Sequence, residues 1–306
     1  MKCEDRDLIL ELTQEWKGER YPNGRPKVSD TLLNRLSRLT TEEAYIGMQK
    51  KGYKLQYEGD LKRTNPVTPL IGRAVTAVMV PSRPDVHQIM LDYGRNKDGR
   101  IGSFNQWVIE TLTERDVMVV DMCDQILYGT FVGGNLSTAI KSRTKTGGAV
   151  IWGGIRDLAQ IQNIPDYQVF YRGIHPSPIG DVMLSGINVP TRIGRAICMP
   201  GDVVHGSVSG VIFIPPHLAE GVATWAEKQH MRDVFGFQRL KEGKYTSAQI
   251  DQTWWSEDMM LDFLNWFQRA DETKDYRYLD WEEEMINSKN PCAQQPFDGV
   301  VDYSYH

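Results

Sequence analysis

Residues 117–157 read VMVVDMCDQILYGTFVGGNLSTAIKSRTKTGGAVIWGGIRD, and the class of fold is decided within this stretch. VMVVDM (117–122) is a short apolar, β-branched run and predicts a buried strand, and AVIWGG (149–154) predicts a second. Between and after them, LSTAIKSRTKT (136–146) and DLAQIQNI (157–164) carry helical spacing. The alternation extends outward. Upstream, IGRAVTAVMVP (71–81) is a β-branched run bounded by Gly72 and Pro81, and FNQWVIETLTE (104–114) reads as a helix. Downstream, QVFY (168–171) and VIFI (211–214) add strands, the second ending at Pro215–Pro216, before a charged helical stretch over 217–242. Strands alternating with helices predict an α/β domain over roughly residues 28–243.

The flanks differ. Residues 1–63 read as helical throughout: Leu8, Leu10, Leu12 and Trp16 recur among charges, and Leu32, Leu33 and Leu36 follow Ser29 and Asp30, which suit a helix start. Residues 1–27 form an N-terminal extension. Residues 244–306 are acidic and aromatic: Ser256 caps a helix whose apolar side carries Met259, Met260, Phe263, Leu264 and Phe267, amid Trp254, Trp255, Trp266, Tyr276, Tyr278 and Trp281. Such a stripe reads as a docking surface for the chain's own domain or a neighbouring subunit.

Hydrophobic residues make up 41% of the 306 residues and charged residues 25%, which excludes a disordered or membrane-spanning chain. Net charge is −5 with both signs interspersed, so no broad basic field exists for a nucleic-acid backbone. Cys3, Cys123, Cys198 and Cys292 are scattered with no CxxC pair, which fits a reducing compartment; with no apolar leader at the start, the expected location is cytoplasmic.

The densest meeting of glycine with ionisable residues lies between Phe131 and Asp157. Gly133 and Gly134 precede a helical pattern, where free backbone N–H groups would suit a carboxylate; a plain tight turn is the simpler alternative. The strand at 149–154 runs directly into Arg156 and Asp157 at its C-terminal end, where α/β sheets bind ligands. Arg offers a planar fork to a carboxylate, and Asp is a hard oxygen ligand for Mg²⁺ or Mn²⁺; a surface ion pair is the competing reading. His205 has two readings, an acid or base and a hydrogen-bonded strand residue, of which the second is favoured.

Eight blocks in order resemble the RraA-like family: VSDTL (28–32), PLIGRAVTAV (69–78), VVD (119–121), GGNLSTA (133–139), GGAVIWGGIRD (147–157), FYRGIHPSP (170–178), INVP (187–190) and MPGDVVHGSVSGVIFIP (199–215). The family includes 4-hydroxy-4-methyl-2-oxoglutarate and 4-carboxy-4-hydroxy-2-oxoadipate aldolases as well as non-catalytic regulators of ribonuclease E. The resemblance implies a layered α/β domain with a central sheet or barrel core, N-terminal helices and, here, a helical C-terminal extension. It also implies a cytoplasmic homotrimer or hexamer with sites between subunits, binding a small 2-oxo acid and neither nucleic acid nor membrane. Catalytic members resemble D-x20-R-D; this chain keeps the spacing with Asn135 in first place. Regulators resemble G-x20-R-D-x2-D-x2-E/D, and Gln160 and Asn163 stand at the two later positions here.

By resemblance, then, Arg156 and Asp157 are the catalytic pair, and Asp157 holds a divalent ion, Mg²⁺ or Mn²⁺. Asn135 reaches that ion through water, and Glu227 from a partner subunit approaches it. Gly134, Asn135, Leu136 and Ser137 offer backbone amides to the substrate carboxylate, together with Arg156. The implied activity is a class II, metal-dependent aldolase or decarboxylase releasing pyruvate through a metal-stabilised enolate. Two alternatives stay open: a binding or regulatory protein without catalysis, and a metal-dependent dehydratase or β-eliminating lyase acting on a sugar acid.

Overall fold

The computed structural model describes residues 2–290, so Cys292 and the end of the 244–306 region lie outside the described residues. Two compact units emerge, Met1–Ala223 and Thr224–His306. The division falls inside the long helix Ala219–Lys241, ahead of the composition change at 244, because Met231 and Phe235 on that helix belong to the same apolar cluster as the aromatic helix Glu257–Arg269.

In the first unit a mixed ten-stranded sheet forms the centre. Its middle is parallel: Leu70–Pro81, Asp116–Asp121, Ala149–Ile155 and Val169–Ile174 lie side by side in that order. Thr130–Val132 adds in parallel to the far end of Ala149–Ile155, while Val203–Ser207 and Gly210–Ile214 extend the other side antiparallel. Parallel strands covered on both faces must be apolar at successive positions. Asp116–Asp121 and Ala149–Ile155 are indeed buried at every residue, Val117, Val119 and Val150 facing one cluster, Met118, Val120 and Ile151 the other.

The N-terminal segment is tied into this sheet. Arg25 is 2% exposed, and its Nη1 and Nη2 each donate to Asp116 Oδ1 and Oδ2 at 2.8 Å. Asp116 Oδ2 also accepts from the Thr113 N–H and hydroxyl, both at 2.8 Å, so the charge meets a fork of donors on every side.

The helical reading of 1–63 holds in part. Arg6–Leu12, Asp30–Leu36 and Thr41–Gln49 are helices, and Ser29 caps the second by accepting from the Leu32 N–H. Tyr57–Glu58 and Lys62–Arg63, however, are short edge strands, pairing with Gly210–Ile214 and Val169–Ile174. Their partners are more than a hundred positions away, so nothing local to residues 57–63 signals the pairing. Among the described residues no helix is long and apolar enough to cross a membrane.

In the second unit the aromatic stripe is satisfied internally. Phe263 meets Trp281, Phe235 and Phe267 at ring-centroid distances of 4.6, 5.4 and 5.6 Å, and Trp255, Phe263, Trp266, Phe267 and Trp281 are all buried. These rings pack on one another and on Met231 and Phe235 of the long helix, forming the core of their own unit. Arg239 clamps the same helix from outside, donating to both carboxylate oxygens of Asp262 at 2.8 and 3.0 Å.

Candidate active site

The strand Ala149–Ile155 ends where Thr130–Val132 and Val169–Ile174 end beside it, and the Arg156 N–H closes that edge by donating to Val132 O at 3.0 Å. Asp157 then turns left-handed, at φ 56° and ψ 39°. Asp tolerates this conformation better than most residues, at a cost of order 1 kcal/mol. The turn lets the Asp157 carbonyl accept from the Gln160 and Ile161 N–H groups, starting the short helix Leu158–Gln162.

On the adjacent strand, Thr130–Val132 runs through Gly133 into the helix Gly134–Thr144. Here the pair of glycines is a helix start. The Ser137 N–H makes the first intrahelical bond, to Gly133 O at 3.0 Å, and the Gly134 N–H donates to Asp157 Oδ2 at 3.2 Å. The amides of Asn135 and Leu136 are left with no intrahelical acceptor, at the positive end of the helix dipole.

Side chains lie close over the two glycines. A Cβ on Gly133 would lie 2.3 Å from Asp157 Oδ2 and 3.1 Å from Arg156 Nε, and one on Gly134 would lie 2.1 Å from Gln160 Oε1.

These elements enclose a cavity of about 340 Å³, lined by Gly133, Asn135, Leu136, Arg156, Asp157 and Gln160. Arg156 Nη1 stands 3.8 Å from Asp157 Oδ2, a loose pair whose side chains are 44% and 30% exposed. Among the described residues, the side chains of Arg156, Asn135 and Gln160 make no hydrogen bond, so their donors and acceptors are available to a ligand.

Of the residues singled out in the sequence, the structure brings Asn135, Leu136, Arg156 and Asp157 to one cavity, with Gly134 bonded to Asp157 beneath it. Ser137 is fully buried, and its N–H is already committed within the helix. Glu227 lies on the long helix in the second unit and is 1% exposed, so its carboxylate is not presented at the surface. His205 is also structural: it is buried, its Nε2 bonds Leu39 O at 3.0 Å, and burial lowers its pKa, favouring the neutral ring. Gln160 went unnoticed as a site residue. Its position three residues after Asp157, one helical turn on, was the available signal.

Among the described residues no group of three or more His, Cys, Asp and Glu side chains converges as a metal cage. What the cavity offers is one carboxylate with one oxygen partly used, and two carboxamides, from Asn135 and Gln160. That donor set fits a hard ion such as Mg²⁺, which keeps most of its waters and takes few protein ligands.

The chain matches the RraA-like family (Aldolase/RraA) over residues 26–213, more than half its length, and it belongs to that family. It is 31% identical over 121 residues to a putative 4-hydroxy-4-methyl-2-oxoglutarate aldolase of Halalkalibacterium halodurans, covering 39% of this chain and 55% of the relative. An uncharacterized protein of Methanocaldococcus jannaschii is 27% identical over 135 residues, 42% of this chain and 64% of the relative. The chain thus spans somewhat over half the length of these curated relatives. An uncharacterized protein from Pseudomonas syringae superposes with a TM-score of 0.61 at 19% identity, over 76% of this chain and 98% of that one. RraAS2 of Streptomyces coelicolor, described as an unusual member of the RNase ES inhibitor RraA family, gives 0.60 at 21% identity, over 70% and 100%. At these identities the two structures support the fold alone.

Proposed function

We propose that this chain is a divalent-cation-dependent lyase that cleaves a carbon–carbon bond beside a 2-oxo acid. The observation that carries the reading is the convergence of a guanidinium with no hydrogen bond among the described residues, a partly exposed carboxylate and the first-turn amides of a helix on one cavity at the C-terminal edge of the parallel strands. Asn135 and Leu136 would give their N–H groups to the substrate carboxylate, as anions bind at helix N-termini generally. Arg156 would pair with oxygen on which negative charge develops, in a position fixed by its backbone bond to Val132. Asp157, with Asn135 through water, would hold Mg²⁺ or Mn²⁺, which when bound supplies Lewis-acid neutralisation of that charge. Gly133 and Gly134 keep the floor low enough for both side chains to lie across it. The proton returned to the product comes from water, since Asp157 and Arg156 are the titratable groups lining the cavity.

The test is pyruvate release from 4-hydroxy-2-oxo acids by the purified chain with Mg²⁺ or Mn²⁺. Activity should vanish with EDTA and return with metal, and full activity in EDTA would overturn the scheme. A second reading, a binding or regulatory protein without catalysis, is favoured by the neutral Asn135 in the place of an acid. Tight 2-oxo acid binding with no turnover would establish it. Assembly as a trimer or paired trimers is part of the proposal, and light scattering on the purified chain tests it.

A further inference from the structure

Resting on the carboxylate subsite of the lyase reading, we propose that Gln160 is a further substrate-binding residue, its Nε2 donating to the substrate carboxylate beside the Asn135 and Leu136 amides. An ionised carboxylate has about four positions at which it accepts a hydrogen bond. Of the first three amides of the helix Gly134–Thr144, the Gly134 N–H is spent on Asp157 Oδ2, which leaves those of Asn135 and Leu136. Arg156 serves the oxygen on which charge develops. The carboxylate end therefore has room for another donor, and Gln160 brings one to the helix start.

Its placement comes from the backbone on both sides. The Gln160 N–H donates to Asp157 O at 2.9 Å, so the side chain leaves the first turn after the strand that carries Arg156. Across from it Gly134 has no Cβ, and the Gln160 carboxamide lies in that space: Oε1 is 2.1 Å and Cδ 3.1 Å from where a Cβ would stand. The carboxamide is planar, so with Oε1 over Gly134 its Nε2 is turned away from the glycine. Gln160 lines the cavity, and among the described residues its side chain makes no hydrogen bond, so these donors are uncommitted. Neutrality matters as much as reach. A carboxylate in this place would stand with Asp157 against an anionic ligand, whereas a carboxamide adds donors without adding like charge. A group contributed by a neighbouring subunit leaves this contact in place, because Gln160 and the helix start belong to the same unit of one chain.

The experiment uses the full chain at saturating Mg²⁺ and follows pyruvate binding by NMR titration, alongside kcat and KM for pyruvate release from 4-hydroxy-2-oxo acids. Gln160→Met keeps the length and removes the donor, and Gln160→Glu keeps the shape and adds charge. Pyruvate affinity and KM should weaken about tenfold or more in the first, the scale of one hydrogen bond to a charged group, and further in the second. In both, kcat should change less than KM, and the melting temperature should match the parent's. The extra loss in Gln160→Glu should fade as pH falls through about 4–5, where a glutamate takes up a proton and becomes neutral. Equal losses in the two variants with no dependence on pH would make Gln160 a space-filling residue and overturn the inference. Unchanged pyruvate affinity with weakened Mg²⁺ binding would overturn it too, by assigning Gln160 to the water shell of the ion. Pyruvate binding in the expected order by a chain that releases no pyruvate would uphold the contact and overturn the lyase reading. No pyruvate binding by the parent would overturn both.

Discussion

Two arginine–aspartate pairs in the same unit show how structure and function part company. Arg25 and Asp116 are 2% and 0% exposed, joined by two 2.8 Å bonds, and further donors from Thr113 fill the carboxylate. Arg156 and Asp157 are adjacent in sequence, partly exposed and 3.8 Å apart, and among the described residues the guanidinium makes no hydrogen bond. The first pair is satisfied by the protein and has nothing to offer a ligand. The second is held in place by its backbone, with a left-handed turn at Asp157 and the Arg156 N–H on Val132, while its side chains are left unsatisfied. Asp202 gives a third setting. It is buried with no cation paired to it among the described residues, accepts the Met199 N–H at 2.8 Å, and burial pushes its pKa up to about 7.

The sharpest way to break this comparison is Arg156→Ala. Turnover of a 2-oxo acid should fall by about 10²–10³-fold, the range seen when a single oxyanion-stabilising group is lost, with the melting temperature nearly unchanged. Asp116→Ala should do the reverse. Stripping the partner from buried Arg25 is expected to cost about 3–5 kcal/mol in denaturant unfolding, and no loss of stability would mean the pair is not the anchor described here. Gly133→Ala probes the floor of the open pair: displacing the Asp157 carboxylate should weaken Mg²⁺ or Mn²⁺ dependence about 10–100-fold in titrations of activity, the scale of shifts in supporting groups.

The last effect, at Asp202, depends on pH. Its folded carboxyl keeps a proton up to about pH 7, whereas the unfolded one loses it near 3.8, so the folded state binds more protons between these values. Stability should therefore decline as pH rises through that window, by at most about 1.4 kcal/mol per pH unit from this group. Asp202→Asn, which can still accept the Met199 N–H, should flatten the decline in urea melts across pH 4–7.

Much of the fold was legible because its strongest signals are local. The strands 117–122 and 149–154 were found within a residue or so of Asp116–Asp121 and Ala149–Ile155, since a strand buried on both faces must be apolar throughout. Ser29 and Ser256 announced helix starts that the structure confirms by bonds to the Leu32 and Met259 N–H groups. The edge strands Tyr57–Glu58 and Lys62–Arg63 were not legible, because a two-residue strand takes its identity from a distant partner. The aromatic stripe gave its periodicity but not its occupant, which proved to be other rings of the same unit.

For the site, the order of residues fixed that Arg156 and Asp157 follow a buried strand and that two glycines precede a helix. Chain order alone can do this, because hydrophobic period and glycine placement are properties of neighbours in sequence. Which amides stay free, that Gln160 lies over Gly134, that Ser137 and Glu227 are buried, and that Arg25 finds Asp116 were decided only when strands far apart in sequence came side by side. Burial and hydrogen-bond partnership depend on distance in space, and that distance is set by the packed sheet.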